Sequence, residues 1–463
     1  MWDIEAPVSL EVTSWHGVAG FEVFDSGGKK LEYQITDCQD GYSLYEGAEH
    51  IIVDILVYVK IPAFGYTSLI IKETGVSGKP PSEKGFIDLL PAHYTKDCGD
   101  EVCFNNGRIE AKFFKGGIAG LKDLKTGKSL DNPAGGLKFF EYSPESSWIT
   151  NYSKIEASDF IPESWKILRN GPVRWSYEVC GKIAGQKASL IYNLDKNSQG
   201  IDIEARTDFD NAAEGMLIFS VKAGTDAEIY ADVPFGTEKR EFFYNLPNDA
   251  EWGFRGQIYA RNWCSFESES AFESGKAPIA LVSQNCSVYY IYERSEGEMQ
   301  LVLNRSMPLV TRTDRWVGKM PDATNGTGGN NYNFSLIFAE KSGKSSDILK
   351  YHKDRAFPPS AQLKFDSGKA GAKSCGSLVK ADKENIINTA AYYSENKTIL
   401  RFFECDGQKT ECRIALPSGT KSVRAVNFEG AELPEVRLSF DKSKNEASVE
   451  FLPYKIITLE LGK

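Results

Sequence analysis

The sequence lacks long apolar runs and basic clusters. Its 463 residues contain no stretch of about 18 consecutive apolar residues, the length that a membrane-spanning helix needs. The net charge is −10, and the lysines and arginines are scattered along the chain. An acidic chain without a basic stripe is a poor partner for nucleic acid or an anionic membrane surface. We therefore expect neither nucleic acid nor a membrane among its partners.

The amino-terminal residues also lack the features of a secretory signal. The segment MWDIEAPVSLEV has no basic stretch followed by an apolar one. The nine cysteines are spread along the chain without the spacing of a disulfide framework, and none belongs to a CxxC pair. These absences predict reduced thiols and a cytoplasmic location.

Several catalytic and phosphate-binding motifs are missing. The sequence has no GxSxG elbow, no P-loop and no GxGxxG after a predicted strand. The glycine-rich run from Asn325 to Asn331 is predicted to be a flexible turn, because no helix follows it that could hold a phosphate. The run from Asp195 to Gly200 begins like a calcium loop, but Arg206 stands where the last carboxylate ligand belongs. We predict a hairpin turn there.

What the chain does contain is a repeated alternation of apolar and polar residues in short runs, separated by glycine, proline and aspartate. Its 27 Phe and 21 Tyr favour strands further. The pattern predicts antiparallel strands joined by hairpins, and an all-β fold class. The best candidate for a helix is the short segment 347–357.

Changes in composition divide the chain into parts. We predict a small amino-terminal β domain at 1–75, a linker at 76–100, a large β-sandwich at 101–360 and a carboxyl-terminal β domain at 361–463. The alternation ends and prolines appear after residue 75, while the Pro358-Pro359 pair marks the last boundary. More than a dozen predicted strands in the central part are typical of a sandwich.

One long connection concentrates polar groups between two apolar runs. It joins MQLVL to NFSLIF and carries Arg305, Arg312, Asp314 and Arg315. Rigid sheets often present binding residues on loops of this kind. A solvated hairpin would show the same composition, so both interpretations stay open at this point.

Several phrases, in order along the chain, resemble a known family. They are VKIPAFGY at 59–66, FNNGRIEAKF at 104–113, GGIAGLKDLKTG at 116–127, YADVPFGTEKR at 230–240 and LNRS at 303–306. These phrases are similar to motifs in the carboxyl-terminal β region of glycoside hydrolase family 38, the α-mannosidases. Nothing in the chain resembles the amino-terminal α/β barrel of that family.

The resemblance implies a large antiparallel super-sandwich of the galactose-mutarotase type, flanked by two smaller β-sandwich domains. Family members hold a catalytic zinc through His and Asp side chains on the barrel. The four histidines of this chain, at positions 16, 50, 93 and 352, lack zinc-ligand spacing, and a zinc site needs three or four converging side chains. We therefore expect no cofactor in this chain, zinc in a catalytic barrel that is absent from it, and no glycoside hydrolysis by this chain alone.

The resemblance also implies a set of sugar-binding residues. Asp314 and Arg315 match an acidic residue and an arginine that reach toward the barrel, although Trp316 replaces the glycine that usually follows them. An arginine suits sugar hydroxyls because its planar fork donates several hydrogen bonds. Trp316 is either a stacking surface for a sugar or a buried anchor. The complete predicted set is Asn106, Arg305, Asp314, Arg315 and Trp316.

A pair of carboxylates is a further candidate. Asp202 and Glu204 are two residues apart on a predicted strand, so both side chains project from one face. Glycoside hydrolysis commonly uses two carboxylates at a set separation. A solvated strand face has the same pattern and is the simpler interpretation.

Three functional hypotheses follow. The first is a non-catalytic carboxyl-terminal part of an α-mannosidase-like hydrolase, with a catalytic barrel and a mannose-containing glycan as its partners. The second is a stand-alone carbohydrate-binding sandwich. A mutarotase activity is disfavoured for this second hypothesis, because no histidine lies between Val102 and Leu349. The third is a purely structural domain.

Overall fold

Strands dominate the structure, which is a computed structural model. It describes residues 3–14, 20–43, 48–75, 96–131, 133–141, 157–209, 215–241, 256–270, 278–286, 289–306, 328–340, 344–361 and 375–462. Within these residues, neighbouring strands whose register is known pair in the antiparallel direction. The predicted all-β architecture is confirmed. Among the described residues, no helix is long and apolar enough to cross a membrane.

The strands are numbered in chain order. The amino-terminal strands are β1 (Ile4–Ser14), β2 (Gly20–Asp25), β3 (Lys30–Leu31), β4 (Tyr33–Ser43), β5 (Ala48–Ile61), β6 (Gly65–Thr67) and β7 (Leu69–Thr74). The central strands are β8 (Lys96–Asp97), β9 (Glu101–Asn105), β10 (Ile109–Phe114), β11 (Gly117–Asp123), β12 (Ser129–Asp131), β13 (Ala134–Glu141), β14 (Ala157–Asp159), β15 (Ile161–Asn170), β16 (Arg174–Ile183), β17 (Gln186–Asp195), β18 (Gly200–Phe209), β19 (Gly215–Lys222), β20 (Glu228–Val233), β21 (Gly236–Arg240), β22 (Gln257–Tyr259), β23 (Trp263–Glu267), β24 (Ile279–Ser283), β25 (Tyr289–Glu293), β26 (Glu298–Ser306) and β27 (Gly328–Phe338). Helix α1 (Ser346–Ala356) precedes β28 (Cys375–Ser377), β29 (Lys380–Ala381), β30 (Ile386–Ser394), β31 (Lys397–Glu404), β32 (Thr410–Ala415), β33 (Ser422–Val426), β34 (Leu438–Asp441), β35 (Glu446–Phe451) and β36 (Ile456–Gly462).

The chain divides into two compact units. The first unit contains Met1–His93, Pro234–Thr237 and Lys344–Lys463, and the second contains Tyr94–Val233 and Glu238–Gly343. The four segments predicted from the sequence are based on composition, whereas these two units are based on contacts in the structure. The predicted domain boundaries therefore stay a prediction. The predicted helix at 347–357 is confirmed as α1, which covers Ser346–Ala356.

The described strands of the second unit belong to three antiparallel sheets, and only the first two residues of β21 fall in the first unit. A ten-stranded sheet has the order β21-β20-β23-β24-β27-β18-β17-β16-β15-β8, a six-stranded sheet has β14-β13-β19-β26-β25-β22, and a four-stranded sheet has β12-β11-β10-β9. Their apolar faces form one core, in which the rings of Phe219 and Phe334 lie 4.7 Å apart. Complete burial of side chains of this size contributes about 1.5–3 kcal/mol each.

Alternation along β18 sets the two faces of the ten-stranded sheet. Ile201, Ile203 and Ala205 are buried in the core, while Asp202 and Glu204 are only partly buried on the other face. A period of two is what a strand with one buried face requires. The two carboxylates therefore share one face, as the sequence predicts.

The turn before β18 is a hairpin turn, as predicted. β17 and β18 pair through Asn193 and Asp202, and Asn197 at the turn has a φ of 57°. Asp195 at the start of the turn accepts hydrogen bonds from Arg174, with Nε to Oδ1 at 2.5 Å and Nη2 to Oδ2 at 3.0 Å. Its carboxylate is thereby used to hold the hairpin.

The first unit contains sheets from both ends of the chain. The amino-terminal sheets β1-β5-β4 and β3-β2-β7 share an apolar cluster that includes Val53 and Val23. The carboxyl-terminal sheets β29-β32-β35-β34 and β30-β31-β36-β33 enclose a second cluster that includes Phe402 and Phe451. Strands β6 and β28 pair with each other, so main-chain hydrogen bonding connects the two ends within this unit.

Helix α1 is capped by a residue distant in sequence. Asp406 Oδ1 accepts hydrogen bonds from the backbone N–H groups of Ser345 and Ser346, each at 2.9 Å. The Ser346 hydroxyl donates to Asp406 Oδ2 at 2.8 Å. A carboxylate at this position satisfies free N–H groups and interacts favourably with the helix dipole. The cap fixes α1 to the loop between β31 and β32.

Candidate functional site

The polar connection that the sequence singles out starts and ends at one edge of the large sandwich. β26 ends at Ser306, which pairs with Gly215, and β27 begins at Gly328, which pairs with Phe209. Phe209 and Gly215 bracket the segment between β18 and β19. Two sheets therefore anchor the connection at both of its ends, which is the support that a binding loop requires.

Among the described residues of the predicted sugar-binding set, Arg305 lies nearest to this edge. It belongs to β26, and its backbone pairs with Met216 in the six-stranded sheet. The residues predicted to reach the sugar lie outside the described residues; they are Asp314, Arg315 and Trp316. Their roles stay predictions.

β27 is longer at its start than the sequence indicates. The turn predicted at Asn325 to Asn331 is wrong for its last four residues, because β27 begins at Gly328. Gly328 and Gly329 pair with β18, and a Cβ at either position would meet no atom within 4 Å. The connection thus re-enters the sheet through two glycines in open space.

Polar side chains cover the outward face of the ten-stranded sheet beside this edge. They come from β18, from β27 and from the residues that follow β24. We call the following set the amide strip: Asp202, Glu204, Arg206, Gln284, Asn285, Asn331, Asn333 and Ser335. The buried inward positions of β18 and β27 are apolar except for Thr207, so the alternation leaves these outward positions for polar residues.

Hydroxyl and amide groups hold the Asp202 part of the amide strip. The Ser335 hydroxyl donates to Asp202 Oδ1 at 2.6 Å. Gln284 Nε2 donates to Ser335 Oγ at 2.8 Å and to Asp202 Oδ1 at 3.4 Å. Two strands and the residue after β24 thus contribute to one hydrogen-bonded group, and the Ser335 and Gln284 donors in it are neutral.

The Glu204 part of the strip includes a cation. Glu204 Oε1 accepts hydrogen bonds from Arg206 Nε and Asn331 Nδ2, each at 2.7 Å. The hydrogen bond to Glu204 raises the pKa of Arg206. Such an exposed pair contributes little to stability. Since Asp202 and Glu204 are both bound by neighbouring side chains, the geometry favours a polar strand face over a free pair of catalytic carboxylates.

Amide groups continue the strip toward the connection. Asn285 Oδ1 accepts from the backbone N–H of Asn333 at 2.5 Å, and its Nδ2 donates to the carbonyl of Asn331 at 3.3 Å. Burial raises the pKa of the neighbouring Cys286 thiol to about 12, so this thiol stays protonated at neutral pH. Fixed amides of this kind suit a ligand rich in hydroxyl groups, because each amide can both donate and accept.

Asn106 lies at a different place and has a structural role. Its Nδ2 donates to the carbonyls of Asp195 and Ser198 at 2.7 and 3.0 Å. Its Oδ1 accepts from the backbone N–H groups of Arg108 and Ile109 at 2.9 and 2.6 Å. The buried amide therefore ties the turn after β9 to the turn after β17.

The structure does not bring Asn106 and Arg305 together. Asn106 contacts the turn that leads into Gly200, whereas the polar connection returns to the sheet beside Phe209. These are opposite ends of β18, a ten-residue strand that spans about 30 Å. One sugar unit cannot contact both ends, so we leave Asn106 out of the proposed site.

A zinc site does not fit the described part of the chain. Within it, no three His, Cys, Asp or Glu side chains converge as metal ligands. All nine cysteines are free thiols. The zinc that the resemblance implies would therefore need ligands other than those of the described residues.

Comparisons with known proteins give the chain its family context. Residues 386–459 match the glycosyl hydrolases family 38 C-terminal beta sandwich domain. An alpha-mannosidase from Enterococcus faecalis V583 is similar in structure over 100% of this chain and 55% of its own, with a TM-score of 0.71 and 12% identity. A protein in glycosyl hydrolase family 38 from Enterococcus faecalis gives the same TM-score and identity, with 56% of its chain covered. No curated protein matches the sequence.

These matches confirm the resemblance to a family 38 carboxyl-terminal region. The domain match covers part of the chain, and a structural likeness at 12% identity shows the fold. The chain spans about half the length of the two solved structures. Activity and substrate of a whole enzyme therefore belong to a proposal.

Proposed function

We propose that this chain is the non-catalytic carboxyl-terminal part of an α-mannosidase-like glycoside hydrolase. Two observations support the proposal: residues 386–459 match a family 38 C-terminal beta sandwich domain, and the fold of the whole chain is similar to 55% of a solved alpha-mannosidase. The chain packs on a zinc-dependent catalytic barrel and completes the sugar site of that barrel. Its partners are then the barrel and a mannose-containing glycan, and its location is the cytoplasm.

The polar connection between β26 and β27 is the part that acts on the sugar in this proposal. Strands of two sheets fix its ends, at Ser306 and at Gly328. Arg305, Asp314, Arg315 and Trp316 are the proposed contacts. Arg315 donates hydrogen bonds to sugar hydroxyls or to a carboxylate of the barrel, and Asp314 accepts them.

The test measures hydrolysis of an aryl α-mannoside. The 463-residue protein is assayed alone and mixed with a zinc-binding barrel that is produced separately from the upstream reading frame or from a neighbouring gene. We expect no activity from the chain alone and activity from the mixture. Activity of the chain alone that survives chelation would show that the proposal is wrong.

Arg315→Ala tests the assignment of the sugar contact. Loss of hydrogen bonds from a charged donor costs about 1.5–3 kcal/mol, so kcat/KM of the mixture should fall by at least about tenfold. Arg312→Ala changes an arginine of the same connection and should leave the rate near that of the wild type. Equal rates for the Arg315→Ala mixture and the wild-type mixture would remove Arg315 from the site.

A stand-alone carbohydrate-binding module is the second candidate. The amide strip favours it, because carboxylate, amide and hydroxyl groups there are held on a rigid sheet without a barrel. Calorimetry of the chain with mannose oligosaccharides, in the absence of any barrel, separates the candidates. Two results together support the module. The chain alone binds the oligosaccharide and Asn331→Ala abolishes this binding, and adding the chain to a barrel gives no gain of hydrolytic activity.

A further inference from the structure

Two exposed aromatic side chains flank one arginine on the carboxyl-terminal sandwich. Phe428 is 74% exposed and Tyr392 is 49% exposed. The guanidinium carbon of Arg401 lies 4.4 Å from the centroid of the Phe428 ring. Tyr392 pairs with Ile399, two residues before Arg401, so Tyr392 and Arg401 are diagonal neighbours on one face. We call Tyr392, Arg401 and Phe428 the aromatic platform.

The turn that carries Phe428 is fixed by its own hydrogen bonds. Asn427 Oδ1 accepts from the backbone N–H groups of Glu429 and Ala431, each at 2.9 Å. The backbone N–H of Asn427 donates to the carbonyl of Ala431 at 2.8 Å. Gly430 has a φ of 86°, a conformation that glycine adopts without strain. The backbone that carries this exposed ring is therefore ordered before a ligand arrives.

Arg401 keeps donors for a ligand. Its Nε donates to Thr458 Oγ1 at 3.1 Å, which fixes the side chain on the sheet. The nearby Glu460 is already bound by Arg424 at 2.6 Å and by Lys397 at 3.1 Å. Within the part of the chain that the structure describes, Arg401 has no ion pair with a carboxylate. Its terminal nitrogens therefore remain as donors beside the Phe428 ring.

The chemistry of this face favours a sugar over an apolar partner. An apolar protein surface or a lipid would have to cover the charged side chains of Arg424, Glu460 and Lys397, which is costly. A hexose instead offers polarised C–H groups to an aromatic face, whose π-system is negative, and hydroxyl oxygens to a guanidinium. Isolated exposed aromatic residues need no ligand, but two that flank an arginine on one sheet face form a contact surface.

We propose that the aromatic platform is a carbohydrate-binding site for a neutral hexose of a glycan, located on the carboxyl-terminal sandwich and separate in sequence from the connection between β26 and β27. The choice of mannose as the hexose rests on the proposed function. In this role the platform holds a distal sugar unit of the glycan. It takes no part in bond cleavage.

The test measures binding of a linear mannose tetrasaccharide to the 463-residue protein by calorimetry and by saturation-transfer NMR. Phe428→Ala and Arg401→Gln should each weaken binding by at least about fivefold, which corresponds to about 1 kcal/mol. Phe357→Ala is the matched control, since Phe357 is 75% exposed and lies outside the platform. It should bind as the wild type does. Because Phe428 is exposed, Phe428→Ala removes no core packing, and Tyr392→Ala supplies an independent variant.

Unchanged affinity in both Phe428→Ala and Tyr392→Ala overturns the proposal, and so does the absence of saturable binding by the wild type. Preference for a sulfated oligosaccharide over the neutral one overturns the proposed ligand class. Hydrolysis of a small aryl α-mannoside in the mixture with a barrel should not change in Phe428→Ala. The Phe428 and Tyr392 variants therefore test the platform alone. The proposed function is tested separately, by Arg315→Ala in the mixture with a barrel.

Discussion

Glu404 provides the sharpest test of how the carboxyl-terminal sandwich is held together. Its side chain is completely buried, and its carboxylate accepts four hydrogen bonds. Oε1 accepts from Asn385 Nδ2 and the backbone N–H of Asp406, each at 2.9 Å. Oε2 accepts from the backbone N–H groups of Gln408 at 3.0 Å and Tyr454 at 2.9 Å. All four donors are neutral, and two belong to the loop that caps α1.

Glu404→Gln keeps the size of the side chain and replaces one acceptor oxygen by an NH₂ group. The amide oxygen can serve one pair of donors, so the other two donors lose their acceptor. A buried donor without an acceptor costs about 1–3 kcal/mol. We therefore expect the free energy of unfolding of this region to fall by about 2–6 kcal/mol.

Hydrogen exchange measures this effect locally. In Glu404→Gln, amides in the peptides that cover residues 404–410 and α1 should exchange faster, because Asp406 loses its support while it caps the helix. Glu411→Gln is the control, since Glu411 is exposed on β32 and changes there usually cost less than about 0.5 kcal/mol. Unchanged protection in Glu404→Gln, or an equal loss in Glu411→Gln, would refute this account of the loop.

Two further predictions concern the second unit. Burial raises the pKa of Asp232 to about 6, so the folded state binds this proton more tightly than the unfolded state, and the free energy of unfolding should fall by up to about 3 kcal/mol as pH rises from 4 to 7. Asp232→Asn should flatten that decline in denaturant unfolding measured against pH, and an unaltered slope would contradict it. Phe334→Ala should lower the free energy of unfolding by about 3–5 kcal/mol, because Phe334 is completely buried against Phe219. Phe114→Ala, at a partly exposed site, should lower it far less, and equal losses in urea unfolding would contradict the assigned core.

Local sequence pattern predicts the all-β fold and the buried face of strands such as β18. The alternation in β18 identifies Ile201 and Ile203 as core residues and Asp202 and Glu204 as outward ones. The sequence pattern predicts a turn where β27 begins, because glycine has a low strand propensity. Gly328 is part of the strand because it pairs with Phe209 of β18, and a local pattern does not show that pairing. Periodicity reports the face of a residue but not its neighbours on the next strand.

Features that depend on long-range register could not be predicted in the same way. The amide strip joins Gln284 to Asp202 and Ser335 through the order of three strands, which no local pattern encodes. Asp406 caps a helix that begins 60 residues earlier. The structural role of Asn106 could not be predicted either. The carbonyl groups that accept hydrogen bonds from its Nδ2 lie 89 and 92 residues further along the chain.

Titration of a catalytic barrel with this chain tests the central claim most directly. Hydrolysis of an aryl α-mannoside at a fixed barrel concentration is measured as the 463-residue protein is added. If the chain completes the sugar site, activity should rise and level off at one chain per barrel. Activity that does not depend on the added chain would contradict the claim.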